Sequence, residues 1–185
     1  YVIAQHIDPA ATTFRFDSAS GPLKVTRDGE VFTLDFPTAV PASCDDGGAI
    51  AAALGFAPQE VLKAPGENSG KFMAVLASEA EVRRAEPDLD KIAALPGDGL
   101  IITAEGDEVD FVSRYFAPHA GIPEDPVTGS AHVVLTPYWA NSLGKTKMEA
   151  RQVSARLGVL TVEDKGERTL ISGKVAPYLE GRIRV

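Results

Sequence analysis

One segment, residues 124–144, carries most of the structural information in this sequence and reads Glu-Asp-Pro-Val-Thr-Gly-Ser-Ala-His-Val-Val-Leu-Thr-Pro-Tyr-Trp-Ala-Asn-Ser-Leu-Gly. Its second half predicts a helix with apolar residues on every side, and such a helix is buried all round. Gly144 is a natural residue for the C-terminal end of this helix. Pro137 removes one hydrogen bond inside the helix and is expected to kink it. We therefore expect a buried central helix enclosed by strands.

The start of this helix is its chemically distinctive part. Asp125 precedes a proline, so its backbone is expected to be extended. Thr128 and Ser130 are residue types that cap helices, and Gly129 allows a ligand to approach the backbone closely. The free amides of Gly129, Ser130 and Ala131 would carry a partial positive charge that binds carboxylate or phosphate. Spacing alone leaves two interpretations open: an anion site with Asp125 as its adjacent carboxylate, or a turn followed by an ordinary helix cap.

Strand-like segments precede and follow this helix. The segments 13–16, 23–26 and 31–36 predict strands, the last two joined in a hairpin by the Asp28-Gly29 turn. The polar, proline-bearing segment 37–48 is the best linker candidate. Short helices are predicted at 49–54, 79–84 and 89–95, and further strands at 72–76, 100–103, 109–116, 148–154, 159–163 and 168–172. This order of elements indicates the α+β class with a mainly antiparallel sheet.

Composition restricts the classes of function. The chain has 185 residues with 44% hydrophobic residues, which is enough to bury a core without disulfides. Its single cysteine, Cys44, excludes an internal disulfide and a multi-cysteine metal site. A net charge of −8 argues against nucleic acid and anionic membranes as partners. No apolar run reaches a membrane span and no signal-type segment opens the chain, so we expect a cytoplasmic protein.

Other candidate residues point to less specific chemistry. His132 lies within the apolar helix and is interpreted as a core histidine rather than a base. His119, Glu124, Asp125 and His132 match no known metal-ligand spacing, so no metal site is expected. Ser130 lies outside the Gly-x-Ser-x-Gly pattern of serine hydrolases. These residues therefore predict no metal site.

The run formed by residues 115–118, 121–122 and 124–132 resembles the PhzF-like family, the phenazine-biosynthesis isomerases and their relatives. Further matches cover nearly the whole chain, at 20–23, 35–37, 137–139, 143–145, 151–156 and 172–175. The resemblance implies a diaminopimelate-epimerase-like fold, in which two similar domains each wrap a twisted antiparallel β-barrel around a central helix. It also implies an active site between the domains, and homodimers.

The function that this resemblance implies is cofactor-independent proton transfer on a small carboxylate-bearing metabolite, catalysed by an isomerase or epimerase. By motif match, Asp125 and Ser130 correspond to catalytic residues of the second domain. Thr128, Gly129 and Ala131 correspond to its substrate-binding helix start.

The resemblance also implies a domain organisation. Residues 1–38 match the C-terminal remnant of the first domain, and residues 39–185 match a complete second domain. No residue here matches the family's proton-shuttling Glu. The alternative is therefore a truncated, non-catalytic relative that binds a small acid, or a chain whose site a partner chain completes. Leu157 stands where the family usually has glycine, so we expect a remodelled loop there.

Overall fold

The computed structural model describes residues 1–18, 21–65 and 70–182. Within these ranges the strands are β1 Thr13–Ser18, β2 Gly21–Asp28, β3 Val31–Pro37, β4 Ala42–Ser43, β5 Glu60–Lys63, β6 Lys71–Val75, β7 Gly99–Glu105, β8 Phe111–Ala117, β9 Ile122–Asp125, β10 Lys147–Gln152, β11 Gly158–Asp164 and β12 Arg168–Lys174. The α-helices are α1 Gly47–Leu54, α2 Glu79–Arg84, α3 Leu89–Ala93 and α4 Gly129–Leu143. A π-helical turn covers Ile3–Ile7 and a 3₁₀ turn covers Pro118–Ala120.

All of these strands belong to one sheet, in the order β1-β2-β3-β12-β11-β10-β8-β7-β6-β5-β4, with β9 paired to β8. The pairs β6–β7 and β8–β10 are parallel, whereas the other pairs of described strands are antiparallel. The large, mainly antiparallel sheet with few helices confirms the predicted α+β class.

The two faces of the sheet are covered by different helices. Alternate residues of a strand point to opposite faces. In β7, Ile101 belongs to the apolar cluster around α4, whereas Leu100 and Ile102 belong to the cluster around α1, α2 and α3. The central strands are thus buried on both faces, which explains why β7 reads as a continuous apolar run.

Helix α4 confirms the predicted central helix, although it is not buried on every side. Leu135 and Trp139 are fully or nearly fully buried against the sheet, whereas Val133 and Tyr138 are partly exposed. Pro137 has no amide hydrogen for the Val133 carbonyl oxygen, and the backbone amide of Ala39 donates to that oxygen instead, at 3.1 Å. Because Pro137 leaves the Val133 carbonyl oxygen free, this oxygen accepts a hydrogen bond that connects the segment after β3 to α4.

Several expectations about local structure need correction. The segment 37–48 contains β4 and is not a plain linker, and the strands β5 and β9 were not predicted. Leu157 adopts a φ of 56°, the backbone region expected of glycine, so its side chain does not force the loop out of that conformation. Its side chain is 49% exposed, which leaves room for this conformation. Among the described helices, none is long and apolar enough to span a membrane.

Candidate active site

Two cavities lie beside the start of α4, and both are lined by Lys71 and Ser130. The first has a volume of about 420 Å³ and is otherwise mainly apolar, with Leu23, Phe36 and Val133 in its walls. The second has a volume of about 380 Å³ and is more polar, lined by Asp98, Tyr115, His119, Asp125 and Thr128. A ligand at Ser130 would therefore have apolar surroundings on one side and titratable groups on the other.

The first turn of α4 leaves its amides available. Thr128 is the N-cap residue, with extended backbone (φ −116°, ψ 104°), and its side chain makes no capping hydrogen bond. Within the part of the chain that the structure describes, the amides of Gly129, Ser130 and Ala131 have no acceptor. Unpaired amides at a helix start attract anions, so the end of α4 at Ser130 favours a carboxylate or phosphate.

A hydrogen-bond network fixes Asp125 beside this helix start. Asp125 ends β9, extended as predicted from the following proline, and lies opposite Tyr115 of β8. The Thr128 hydroxyl donates to Asp125 Oδ2 at 2.6 Å. Gln152, fully buried at the end of β10, bonds through Nε2 to the Asp125 carbonyl oxygen (2.6 Å) and to Thr128 Oγ1 (3.1 Å). Its Oε1 accepts from the Thr128 amide at 2.8 Å.

An ion pair holds β9, and therefore Asp125, against β8. Arg114 donates from Nε and Nη2 to both carboxylate oxygens of Glu124, at 2.7 and 2.9 Å. Its Nη1 donates to the carbonyl oxygens of Val82 and Ala85, at 3.2 and 2.6 Å. Such a bidentate pair is geometrically specific. Glu124 thus anchors the strand and lines neither cavity.

Three further polar side chains line the smaller cavity with Asp125 and contact one another: Lys71, Asp98 and Tyr115. Lys71 Nζ lies 3.2 Å from Asp98 Oδ2, and the Tyr115 hydroxyl donates to the Asp98 carbonyl oxygen at 3.1 Å. Burial, together with the nearby charges of Asp98 and Asp125, raises the pKa of Tyr115 to about 12, so this phenol is neutral at neutral pH. Among the described residues that line either cavity, Lys71 is the only lysine or arginine.

The two histidines of the rejected metal set have separate environments. His132 is fully buried and its Nδ1 donates to the Thr128 carbonyl oxygen at 2.7 Å, so it is a core histidine as expected, although its buried Nε2 has no hydrogen-bond partner among the described residues. Burial lowers its pKa, so the ring is neutral. His119 lines the smaller cavity, and its Nε2 bonds the Leu95 carbonyl oxygen at 3.2 Å. In the described ranges, no three His, Cys, Asp or Glu side chains are grouped to hold a metal.

The structure brings together the five residues that the sequence proposed for the site, in different roles. Ser130 is exposed and Asp125 is half-buried, and both line the smaller cavity. Ala131 is buried and lines neither cavity, so it can act only through the partial charge of its unpaired amide at the helix start. Thr128 is buried and directs its hydroxyl and amide to Asp125 and Gln152. Sequence reasoning missed Lys71 and Asp98, because their position depends on the pairing of β6 with β7.

Comparison with known proteins places the chain in a family. The family model described as phenazine biosynthesis-like protein, PhzC-PhzF, matches residues 1–181. A Pseudomonas aeruginosa protein named as an uncharacterized isomerase is 40% identical over the whole chain, which covers 70% of that relative. A putative phenazine biosynthesis PhzC/PhzF protein from Clostridium difficile is 37% identical with a TM-score of 0.89, and the match covers 100% of this chain and 70% of that one.

A PhzF family protein from Enterococcus faecalis is 42% identical with a TM-score of 0.84, and the match covers 94% of this chain and 65% of that one. The chain therefore spans about two thirds of the length of the relatives that it matches. Because the family model matches almost the whole chain and these relatives are about 40% identical, the chain belongs to the PhzC-PhzF family of phenazine biosynthesis-like proteins.

Proposed function

We propose that the protein is a cofactor-independent isomerase or epimerase that moves a proton on a small carboxylate-bearing metabolite. The observation that carries this proposal is the unpaired helix start at Ser130 beside the carboxylate of Asp125, both on the wall of one cavity. The name of the Pseudomonas relative, an uncharacterized isomerase, supports the reaction class.

Each residue of the site has a proposed role. The amides of Gly129, Ser130 and Ala131, with the Ser130 hydroxyl, would hold a substrate carboxylate. Lys71 adds positive charge near the same place, in a chain whose net charge is −8. Asp125 would orient the substrate or relay the proton, acting as a general acid–base group. The apolar walls of the larger cavity would limit the water that competes for this proton.

We further propose the domain organisation that the family resemblance implies. Residues 39–185 would form the second domain, with α4 as the centre of a diaminopimelate-epimerase-like barrel, and residues 1–38 would belong to the first. The apolar side chains of Val2, Ile7 and Phe16, which are 62%, 72% and 42% exposed, support a covering partner for residues 1–38. The proton-shuttling Glu would come from first-domain sequence outside these 185 residues or from a partner chain in a dimer.

Anion binding at the helix start can be tested first. Adding malonate to ¹⁵N-labelled protein should shift the amide signals of Gly129, Ser130 and Ala131 in a saturable way. Ser130→Ala should weaken this binding. The matched control Ser142→Ala alters an exposed serine at the other end of α4 and should leave the binding unchanged. Amide signals that do not respond to malonate would refute the anion site.

Proton transfer is tested by solvent exchange. A panel of small 2-amino and unsaturated carboxylates is incubated with the protein in D₂O, and deuterium at carbon is measured by mass spectrometry. Asp125→Asn should abolish exchange, whereas Asp17→Asn, at an exposed position of β1, should not. Malonate binding without any exchange, by the protein with the proposed first domain and dimer partner present, would favour a non-catalytic acid-binding protein instead.

A further inference from the structure

We propose that Gln152 is a positioning residue that fixes the direction of every hydrogen bond around Asp125, so that Asp125 meets the substrate through Oδ1 alone. This inference rests on the proposed function insofar as Asp125 acts on a substrate. Its structural part, the direction of the bonds, is independent of any substrate.

The orientation of the Gln152 amide follows from its two backbone partners. The Thr128 amide can only donate, and it lies 2.8 Å from one terminal atom of Gln152. The Asp125 carbonyl oxygen can only accept, and it lies 2.6 Å from the other terminal atom. Only one orientation satisfies both bonds, with Oε1 towards Thr128 and Nε2 towards Asp125.

The Gln152 orientation determines where the Thr128 hydroxyl hydrogen goes. Nε2 has a second hydrogen, and Thr128 Oγ1 lies 3.1 Å from it. Because Nε2 only donates, Thr128 Oγ1 accepts this bond and must donate its own hydrogen elsewhere. Among the described residues, the remaining partner of that hydroxyl is Asp125 Oδ2, at 2.6 Å. The chain of donors therefore runs from Gln152 through Thr128 to Asp125.

The two oxygens of Asp125 are consequently not equivalent. Oδ2 accepts the hydroxyl hydrogen of Thr128 at 2.6 Å. In the described part of the chain Oδ1 has no hydrogen-bond partner, while Asp125 lines the smaller cavity. A proton taken from or given to a substrate would thus be carried on Oδ1. Because Gln152 is fully buried, bulk water cannot replace its bonds if they are lost.

The test compares the two side-chain amide proton signals of Gln152 by ¹H–¹⁵N NMR in three proteins: the wild type and two variants of Thr128. Thr128→Val removes the hydroxyl but keeps the branched shape, and its matched control Thr128→Ser keeps the hydroxyl. Backbone amide spectra of each variant report whether the fold is retained.

We expect one Gln152 side-chain amide proton to move upfield in Thr128→Val, because it loses Thr128 Oγ1 as its acceptor. In Thr128→Ser both proton signals should stay close to their wild-type positions. Unchanged Gln152 signals in Thr128→Val, or an equal change in Thr128→Ser, would overturn the inference.

Failure of this inference can be distinguished from failure of the proposed function. If Asp125→Asn leaves deuterium exchange unchanged, Asp125 has no role in proton transfer, whatever the Gln152 signals show. If Asp125→Asn abolishes exchange while the Gln152 signals of Thr128→Val equal those of the wild type, the proposed function stands and the directional role of Gln152 is refuted.

Discussion

Removal of the Glu124 carboxylate should destabilise the protein far more than removal of an exposed carboxylate. The Arg114 and Glu124 side chains are only 14% and 23% exposed, and two hydrogen bonds join them. Breaking a buried pair by removing one partner costs about 3–5 kcal/mol, because the other charge stays buried. Arg114 keeps the carbonyl oxygens of Val82 and Ala85 as acceptors, so we expect Glu124→Gln to cost about 2–3 kcal/mol.

Urea unfolding measures this cost, with the fluorescence of Trp139 as the signal. Trp139 is the only tryptophan, and it is buried in the core around α4. The matched control is Glu108→Gln, which removes the 74% exposed carboxylate paired with Arg151. An exposed pair contributes about 0–1 kcal/mol, so the control should lose no more than this.

The reasoning is refuted if Glu124→Gln costs no more than Glu108→Gln. In that case the buried guanidinium would be satisfied by the two carbonyl oxygens alone, and β9 would be held in place by its strand pairing. A double-mutant cycle with Arg114→Met separates these contributions, since it measures the coupling between the two side chains. We expect a coupling of about 1–2 kcal/mol, above the range of exposed pairs.

Three further predictions concern the helix and the loop beside it. Leu157→Gly should raise the free energy of unfolding by about 0.5–1 kcal/mol, because leucine is strained at a φ of 56°. Urea unfolding measures this difference, and an unchanged free energy of unfolding would contradict the strain. Gly129→Ala places a methyl group 3.8 Å from Phe36, which is an ordinary contact, so Tm should stay unchanged. Malonate binding should nevertheless weaken several-fold. Unweakened binding would count against close approach of the ligand at Gly129.

Burial lowers the pKa of His132, so the unfolded chain takes up a proton near pH 6.5 that the folded protein does not. The free energy of unfolding should therefore fall below this pH, by up to about 1.4 kcal/mol per pH unit. In His132→Asn this part of the pH dependence of the free energy of unfolding should be absent.

Much of the fold could be predicted because it rests on local periodicity. Helix α4 and the β2–β3 hairpin have clear patterns, an apolar helical run in one case and alternation around Asp28-Gly29 in the other. Strand β9 was not predicted because it has four residues, one of them Pro123, and is paired only through β8. Such a strand owes its conformation to its neighbour rather than to its own sequence.

The site was predictable only where its residues are close in sequence. Asp125, Thr128 and Ser130 lie within six residues at a helix start, and the chemistry of each residue type is evident there. Lys71 and Gln152 come from β6 and β10, and their position depends on the order of the strands in the sheet. Gln152 reaches Thr128 because β10 lies parallel to β8, with Gln152 opposite Ser113. Nothing in the local sequence encodes that register.

The pairing of β3 with β12 has a mechanical consequence. Seven residue pairs join Val31–Pro37 to Arg168–Lys174, and the side chains of Asp35 and Arg168 meet across them at 2.6 Å. A hinge at residue 38 would have to break this ladder. Because Phe36 lies in the ladder and also lines the larger cavity with Ser130, we expect this wall of the cavity to be rigid.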